Sequence, residues 1–468
     1  LRFHRRLSDG LRDLVVQFGY SDSSAAVRPI HALEEYRPDI QRGKALFCYF
    51  FRSHYRGWPM HTVASENLAT LPAHLTLEAV HALACPVDTH LDSLYLSRLG
   101  GFDFWKGDWK AHRRSPILWL MSKTSPRGRN QPLMYHVSGP DFVAGGYGGA
   151  CFSAHALWEN LVSAPFLDPW KNWVEHQRYV EEMVAASEGR MQLARSAAEL
   201  RAIRAEGLCC AILSLEGAHM LGPRGTRSQA LRLTRLDIAA NAGAAYLTLN
   251  HFSHTDISQA GYASLNPWRE RKGAGLSKFG RQVVERCIDV GLLVDLSHTS
   301  SQGILDACDI CVRRNVPAFV SHGASRSVTR GVETRPSRHL DRALDDAAIR
   351  AIVQTGGCIS VILAPYFLQH SYLPDGTPNM DADLGFVVGY YEAFARQIAD
   401  MGIVEDPWKH LSFGSDFDGG ISSLPTGMRS GADLPKLTQA MMDAGWPTQR
   451  IVDVYSGNFL RTWERVRP

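Results

Sequence analysis

Residues 278–298 read KFGRQVVERCIDVGLLVDLSH. Over 278–290 the apolar positions recur at helical spacing, and Gly291 stands where a helix end favours a residue free to take positive φ. The apolar run 292–298 then predicts a buried strand with a polar tip, His298. A second helical stretch, 301–314, leads to another apolar run, 318–322, again ending in histidine. Strand, helix and strand in that order form a βα unit of a parallel sheet. Working outward, the same alternation gives eight candidate strands, at 86–91, 147–154, 209–216, 245–251, 292–298, 318–322, 358–363 and 411–416. Eight strands alternating with helices suit a closed (β/α)8 barrel of the TIM type better than an open sheet. Residues 1–80 are expected to form a mainly helical N-terminal extension packed on the barrel, and 81–468 the barrel domain. A long Gly-, Trp- and Arg-rich insertion, 93–140, follows the first strand.

Charge and composition narrow the function classes. The 468 residues carry 50 Lys+Arg against 47 Asp+Glu, a formal charge of +3, which excludes a strongly basic nucleic-acid binder. Hydrophobic residues at 45% with charged residues at 21% describe a soluble chain that folds around a core. The greasiest runs, 45–51 and 360–368, are strand-sized and far short of the roughly 18 residues that cross a bilayer, so no membrane segment is expected. No signal peptide is visible at 1–6 and no hydrophobic anchor tail at 461–468. Nine scattered cysteines, most in apolar settings such as Cys48, Cys209, Cys210, Cys287 and Cys358, fit a reducing, cytoplasmic compartment. Cys308 and Cys311 spell CxxC inside a helical stretch without a second pair, and read as core or helix-face residues.

The chemistry-bearing residues gather at strand ends. His90 and Asp92 close the first strand as HxD and, with a period of two, project to one side; they can chelate one metal ion or be a satisfied His beside a turn-forming Asp. Glu216 ends the apolar run 211–215, where a carboxylate is costly unless paired or metal-bound. His219 completes ExxH with it, but Gly217 and the preceding strand argue against a continuous helix, so His219 reads as structural. His251, His298 and His322 end the fourth, fifth and sixth strands, and Asp416 the eighth. In a barrel all of these fall on the C-terminal rim, where active sites are built. Histidines and carboxylates of the kind Zn²⁺ prefers, with one carboxylate left over as a base, make a two-metal hydrolase inventory. Asp418, beside Gly419 and Gly420, reads as a loop cap. Trp105, Trp109 and Trp119 in the insertion read as packing, and Arg127 and Arg129 as a solvated loop.

These residues also resemble a known family, the membrane (renal) dipeptidases, peptidase family M19 of the metal-dependent amidohydrolase-like barrels. The matching pieces, across about residues 86–460, are VDTHLD, YGGACFSAH, LSLEGAH, LTLNH, GLLVDLSH, FVSHGASRSV and FGSDFDG. The resemblance implies two Zn²⁺ per chain: His90 and Asp92 bind one, Glu216 bridges to the second, and His298 and His322 complete that second site. It implies that His251 polarises the scissile carbonyl, that Asp416 handles the proton, and that an arginine after the sixth strand grips the substrate carboxylate. Of Arg326, Arg330, Arg335 and Arg338, the family pattern of Arg, a short polar residue and Leu before the next helix selects Arg338. The activity implied is hydrolysis of a dipeptide by a metal-bridging hydroxide, with a homodimer as the family habit. Alternatives on the same barrel are another small amide, an N-acyl amino acid or a lactone, and, in a different class, a silent barrel used for binding. Animal members carry a disulfide cysteine after the fourth-strand His, where this chain has Phe252 and Ser253, and their membrane anchoring is not implied here.

Overall fold

The computed structural model describes residues 75–95, 101–107, 136–156, 168–271, 273–329, 341–369, 382–421 and 423–468. The N-terminal extension up to residue 74, Trp109, Trp119, Arg127 and Arg129 lie outside the described residues. Among those described, no helix is long and apolar enough to cross a membrane.

The strands are β1 (Val87–Leu91), β2 (Gly149–His155), β3 (Met191–Leu193), β4 (Cys209–Glu216), β5 (Ala244–Thr248), β6 (Leu293–Asp295), β7 (Phe319–Gly323), β8 (Cys358–Val361) and β9 (Leu411–Phe413). All pairings are parallel, in the order β1-β2-β4-β5-β6-β7-β8-β9, with β3 attached to β4 outside that path. The eight expected strands are therefore present, and β3 is a short addition that periodicity does not reveal. The ring closes between β1 and the segment after β9: Leu91 bridges Phe417 in parallel, Asp92 N donates to Phe417 O at 3.0 Å, and Asp416 N donates to His90 O at 3.2 Å. The result is an α/β barrel with helices around it.

Several strands stop earlier than the apolar pattern suggests. β6 ends at Asp295 and β9 at Phe413, before the polar residues that follow. Beyond these ends the backbone turns: His298 (φ 61°), Asp416 (φ 61°) and Asp418 (φ 66°) occupy the left-handed region, which is costly for a residue with a side chain.

The helices follow their local signals. Ser277 caps Lys278–Asp289 by accepting from Gly280 N, and Phe279, Val283, Val284 and Cys287 form its buried stripe. Ser300 caps Ser301–Arg313 in the same way, and this helix buries Cys308 and Cys311 in the core. Inside the barrel, Val87, Cys151, Ile212, Tyr246 and Phe319 pack with Phe459 and Trp463 of the helix Asn458–Glu464, which stops one end of the ring. Above this apolar plug lies a tight polar layer. A Cβ on Gly414 would sit 1.9 Å from Ser321 O and 2.4 Å from Thr89 Oγ1, so only glycine lets β9 lie this close to its neighbours.

Asp418 corrects the loop-cap expectation. It is 1% exposed, and its carboxylate accepts from His136 N (2.5 Å), Val137 N (3.3 Å) and Ser93 Oγ (2.5 Å). Two stretches of the insertion are thereby tied to the loop after β9. Hydrogen bonds to a charged acceptor contribute about 1.5–3 kcal/mol each, and their loss leaves buried donors unsatisfied. Asp418→Ala should therefore destabilise the protein by about 3–5 kcal/mol, read as a lower urea midpoint with unchanged slope; a midpoint equal to the wild type would show that this tie is unimportant.

Candidate metal centre and active site

The barrel brings the polar strand ends onto one rim, and Glu216 lies at their centre. Its Oε1 is 3.1 Å from His298 Nε2, 3.5 Å from His251 Nε2, 3.6 Å from His90 Nε2 and 3.6 Å from His322 Nε2. Asp92 Oδ1 lies 3.7 Å from His90 Nε2, and Asp416 Oδ1 lies 3.8 Å from the same nitrogen. All of these side chains are buried. Four overlapping groups have ligand atoms that converge within 4.8 Å: His90, Glu216 and His322; Glu216, His251 and His298; His90, Asp92 and Asp416; and Asp92, His155 and Glu216.

Hydrogen-bond partners dictate which ring nitrogens face inward. Tyr246 OH donates to Thr89 O at 2.9 Å, so it accepts from His90 Nδ1–H at 2.9 Å, leaving the Nε2 lone pair of His90 toward Glu216. Ser321 Oγ donates to Asp295 Oδ2 at 2.7 Å and accepts from His322 Nδ1 at 2.9 Å, which turns the lone pair of His322 inward as well. Arg342 directs an N–H at His298 Nε2 at 3.0 Å, so that nitrogen also presents a lone pair. His298 Nε2, which meets Arg342, also lies 2.9 Å from His322 Nε2. Imidazole nitrogens gathered this closely around Glu216 form a donor set that a bound cation would satisfy.

The electrostatics agree. Burial, with Arg342 next, brings His298 down to about 4, and burial with His90 and Arg342 puts His322 well below its ordinary value. Burial likewise keeps His251 neutral. Neutral imidazoles are the form that binds metal. Against the penalty of burial, Tyr246, Glu216 and Asp92 hold His90 well above its ordinary value, so the surroundings of this ring favour a cation there, be it a proton or a metal ion. Burial opposes ionised Glu216, yet His251 and His90 hold it well below the usual carboxylate range. Among the described residues, His90 Nε2, Asp92 Oδ1 and Glu216 Oε2 have no hydrogen-bond partner although buried. Polar atoms left so in a protein interior are costly, and bound metal is the compensation that this donor set of imidazole nitrogens and carboxylate oxygens fits.

A small cavity of about 100 Å³ opens over the cluster, with Asp92, Glu216, His251, His298, Arg342 and Asp416 in its wall. Arg342 lies 3.8 Å from Asp416 Oδ2, and its guanidinium stacks 4.5 Å from the Phe367 ring centroid. Burial pushes Asp416 up to about 8, despite the opposing pull of Arg342 and His90.

Two residues here are absent from the sequence-based expectation. Arg338 lies outside the described residues, and the arginine seen in the cavity wall is Arg342. The signal for it was present: Arg342-Ala343-Leu344 runs into Asp345, which caps the helix Asp346–Gln354. The other is His155, the last residue of β2, whose Nδ1 is 3.3 Å from Asp92 Oδ1. His219 stands apart, with Nε2 at 2.8 Å from Ala156 O, in keeping with a structural role. Trp105 also packs, donating from Nε1 to Met183 O at 2.7 Å beneath Arg190.

Beyond the inward nitrogens, Asp295 accepts from Ser297 N, Ser321 N, Ser297 Oγ, Ser321 Oγ and Thr248 Oγ1, joining three strands under the cluster. Partners of this outer kind typically control metal affinity about 10–100-fold. Ser321→Ala should weaken one metal site by that factor in chelator competition while the far-UV spectrum stays native. Unchanged affinity would mean that the hydroxyl does not orient His322.

Residues 110–468 match the family model for membrane dipeptidase (peptidase family M19). The chain is 26% identical over 277 residues to dipeptidase tcpJ of Claviceps purpurea, covering 59% of this chain and 56% of that protein. It is 28% identical over 248 residues to an uncharacterized dipeptidase of Schizosaccharomyces pombe, covering 53% of each. The matches span about half the length of these curated relatives. Among solved structures, an amidohydrolase from Pseudomonas aeruginosa superposes with a TM-score of 0.57 at 18% identity, over 84% of this chain and 99% of that one. A metallo peptidase from Rhodobacter sphaeroides, liganded with a phosphinate mimic of the dipeptide L-Ala-D-Ala, gives 0.59 at 22%, over 81% and 99%. These structural likenesses support the barrel architecture. With the family model matched along most of the chain, the protein belongs to the membrane dipeptidase family, peptidase family M19.

Proposed function

We propose that this chain is a dipeptidase that holds two zinc ions, one through His90, Asp92 and Glu216 and the other through Glu216, His298 and His322. Zinc bound there would polarise a carbonyl and lower the pKa of water to near neutrality. The observation that carries the reading is the placement of Arg342 in the same small cavity as the imidazole–carboxylate cluster. A guanidinium beside a metal centre fits a substrate with a free carboxylate next to its scissile bond, and a dipeptide has one. The dipeptide mimic bound by the Rhodobacter sphaeroides metallo peptidase, on a similar barrel, supports that substrate class.

The side chains divide the work. Arg342 takes the C-terminal carboxylate and fixes the orientation of the peptide. His251, kept neutral by burial, donates an N–H to the carbonyl oxygen as negative charge develops there. Asp416, between His90 and Arg342, accepts a proton and delivers it to the leaving amine. The aromatic wall of Phe252, Tyr262, Tyr366 and Phe367 limits access of bulk water.

A substrate panel tests this directly. Dipeptides should be cleaved, and C-terminally amidated dipeptides, N-acyl amino acids and lactones should react poorly. Arg342→Lys should raise KM on the order of tenfold or more with zinc retained, since lysine cannot reproduce the two-pronged pairing. Arg338→Lys is measured beside it: a raised KM there, with Arg342→Lys unchanged, would move the carboxylate clamp to Arg338. Asp416→Asn should lower kcat by about 10²- to 10⁴-fold. Lactone or N-acyl turnover without dipeptide cleavage would replace this substrate assignment, and no turnover of any compound by zinc-loaded protein would favour a binding role.

A further inference from the structure

We propose that His155 is an additional protein ligand of the cation held by Asp92 and Glu216, an inference that rests on the metal reading above and extends it. The placement follows from sheet register. β2 and β4 pair without a shift from Gly149↔Cys210 to His155↔Glu216, so the final residues of the two strands are lateral neighbours. Neighbours in register on parallel strands project to the same face. His155 therefore reaches the rim by the same geometry that delivers Glu216.

The two oxygens of Glu216 face different surroundings. Oε1 meets His90, His251, His298 and His322, whereas Oε2 lies 3.6 Å from His155 Nδ1. The same Nδ1 is 3.3 Å from Asp92 Oδ1, and Asp92, His155 and Glu216 converge within 4.8 Å of one another. The His155–Asp92 separation has the length of a long hydrogen bond, and the His155–Glu216 separation lies beyond one. They match the edge of a coordination tetrahedron: with zinc–ligand bonds of about 2.0–2.2 Å, neighbouring ligand atoms stand roughly 3.3–3.6 Å apart. The ring is also held in place, with the Tyr95 ring centroid 4.1 Å from its own at a tilt of 38° and the side chain only 4% exposed. A fixed imidazole with a nitrogen at coordination spacing from two carboxylates has the makings of a ligand.

The test uses the full chain stripped of metal and reloaded with zinc or cobalt(II). His155→Phe keeps the ring and removes the donor, and its metal-free form should unfold at the wild-type temperature. Outer partners already change affinity about 10–100-fold, so losing a direct ligand should weaken one of the two sites by at least about tenfold. The cobalt d–d band should change as a nitrogen leaves the coordination sphere. Weaker binding with an unaltered cobalt spectrum would mean that His155 only positions the carboxylates, and unaltered affinity would remove it from the site altogether. Either result overturns the proposal while leaving two-zinc binding by the wild type intact. Wild-type protein that takes up no zinc would instead overturn the metal reading and this inference together. If His155→Phe fails to fold, His155→Gln, which preserves polarity and bulk, supplies the same two measurements.

Discussion

Burying a carboxylate at the end of an apolar strand is the constraint on which the rim depends. Glu216 is 1% exposed, and an ionised group so placed is expensive unless opposite charge or directed donors surround it. The barrel meets that cost with imidazoles arriving from several other strands, two of them turned by a partner outside the cluster. Tyr246 fixes His90 and Ser321 fixes His322, so the ligand nitrogens point inward before any ion arrives. Such preorganisation makes the site a property of the whole ring rather than of one motif.

A second tier of buried carboxylates supports this rim from below. Asp88 accepts from Ser415 N at 2.8 Å, Ser415 Oγ at 2.5 Å and His90 N at 3.2 Å, tying β1 to the chain beyond β9. Asp295 does the equivalent for β5, β6 and β7. Both spend their oxygens on backbone amides and hydroxyls, which separates them from the outwardly similar carboxylates of the rim, where buried oxygens remain available. Type of partner, rather than type of residue, distinguishes scaffold from site.

Much of this was legible in the sequence for one physical reason: a polar or charged residue terminating an apolar run is conspicuous. That rule points to Glu216, His298 and His322, and the HxD spacing to His90 and Asp92. It stops short of His155, because the apolar pattern ends at Ala154 while the hydrogen-bonded ladder with β4 continues one residue further. Arg342 follows a stretch without helical or strand period, so only its place before a helix cap distinguishes it from the arginines upstream. The early ends of β6 and β9 and the left-handed turns at His298 and Asp416 were hidden too, since backbone conformation leaves no mark in hydrophobicity. Asp418 next to two glycines looks like a turn residue locally. Its burial comes from His136 and Val137, nearly three hundred residues earlier, and local reading is blind to such contacts.

The seam that closes the ring has a consequence for how the protein is made. His90 and Asp92 exchange backbone hydrogen bonds with Asp416 and Phe417, and Asp88 meets Ser415 across 327 positions of chain. Contacts of such separation form late in folding. His90 and Asp92 therefore take their final backbone positions only once the chain at Ser415 to Phe417 has docked on β1. The rim around Glu216 is thus a feature of the closed ring, finished only when the two ends of the barrel meet.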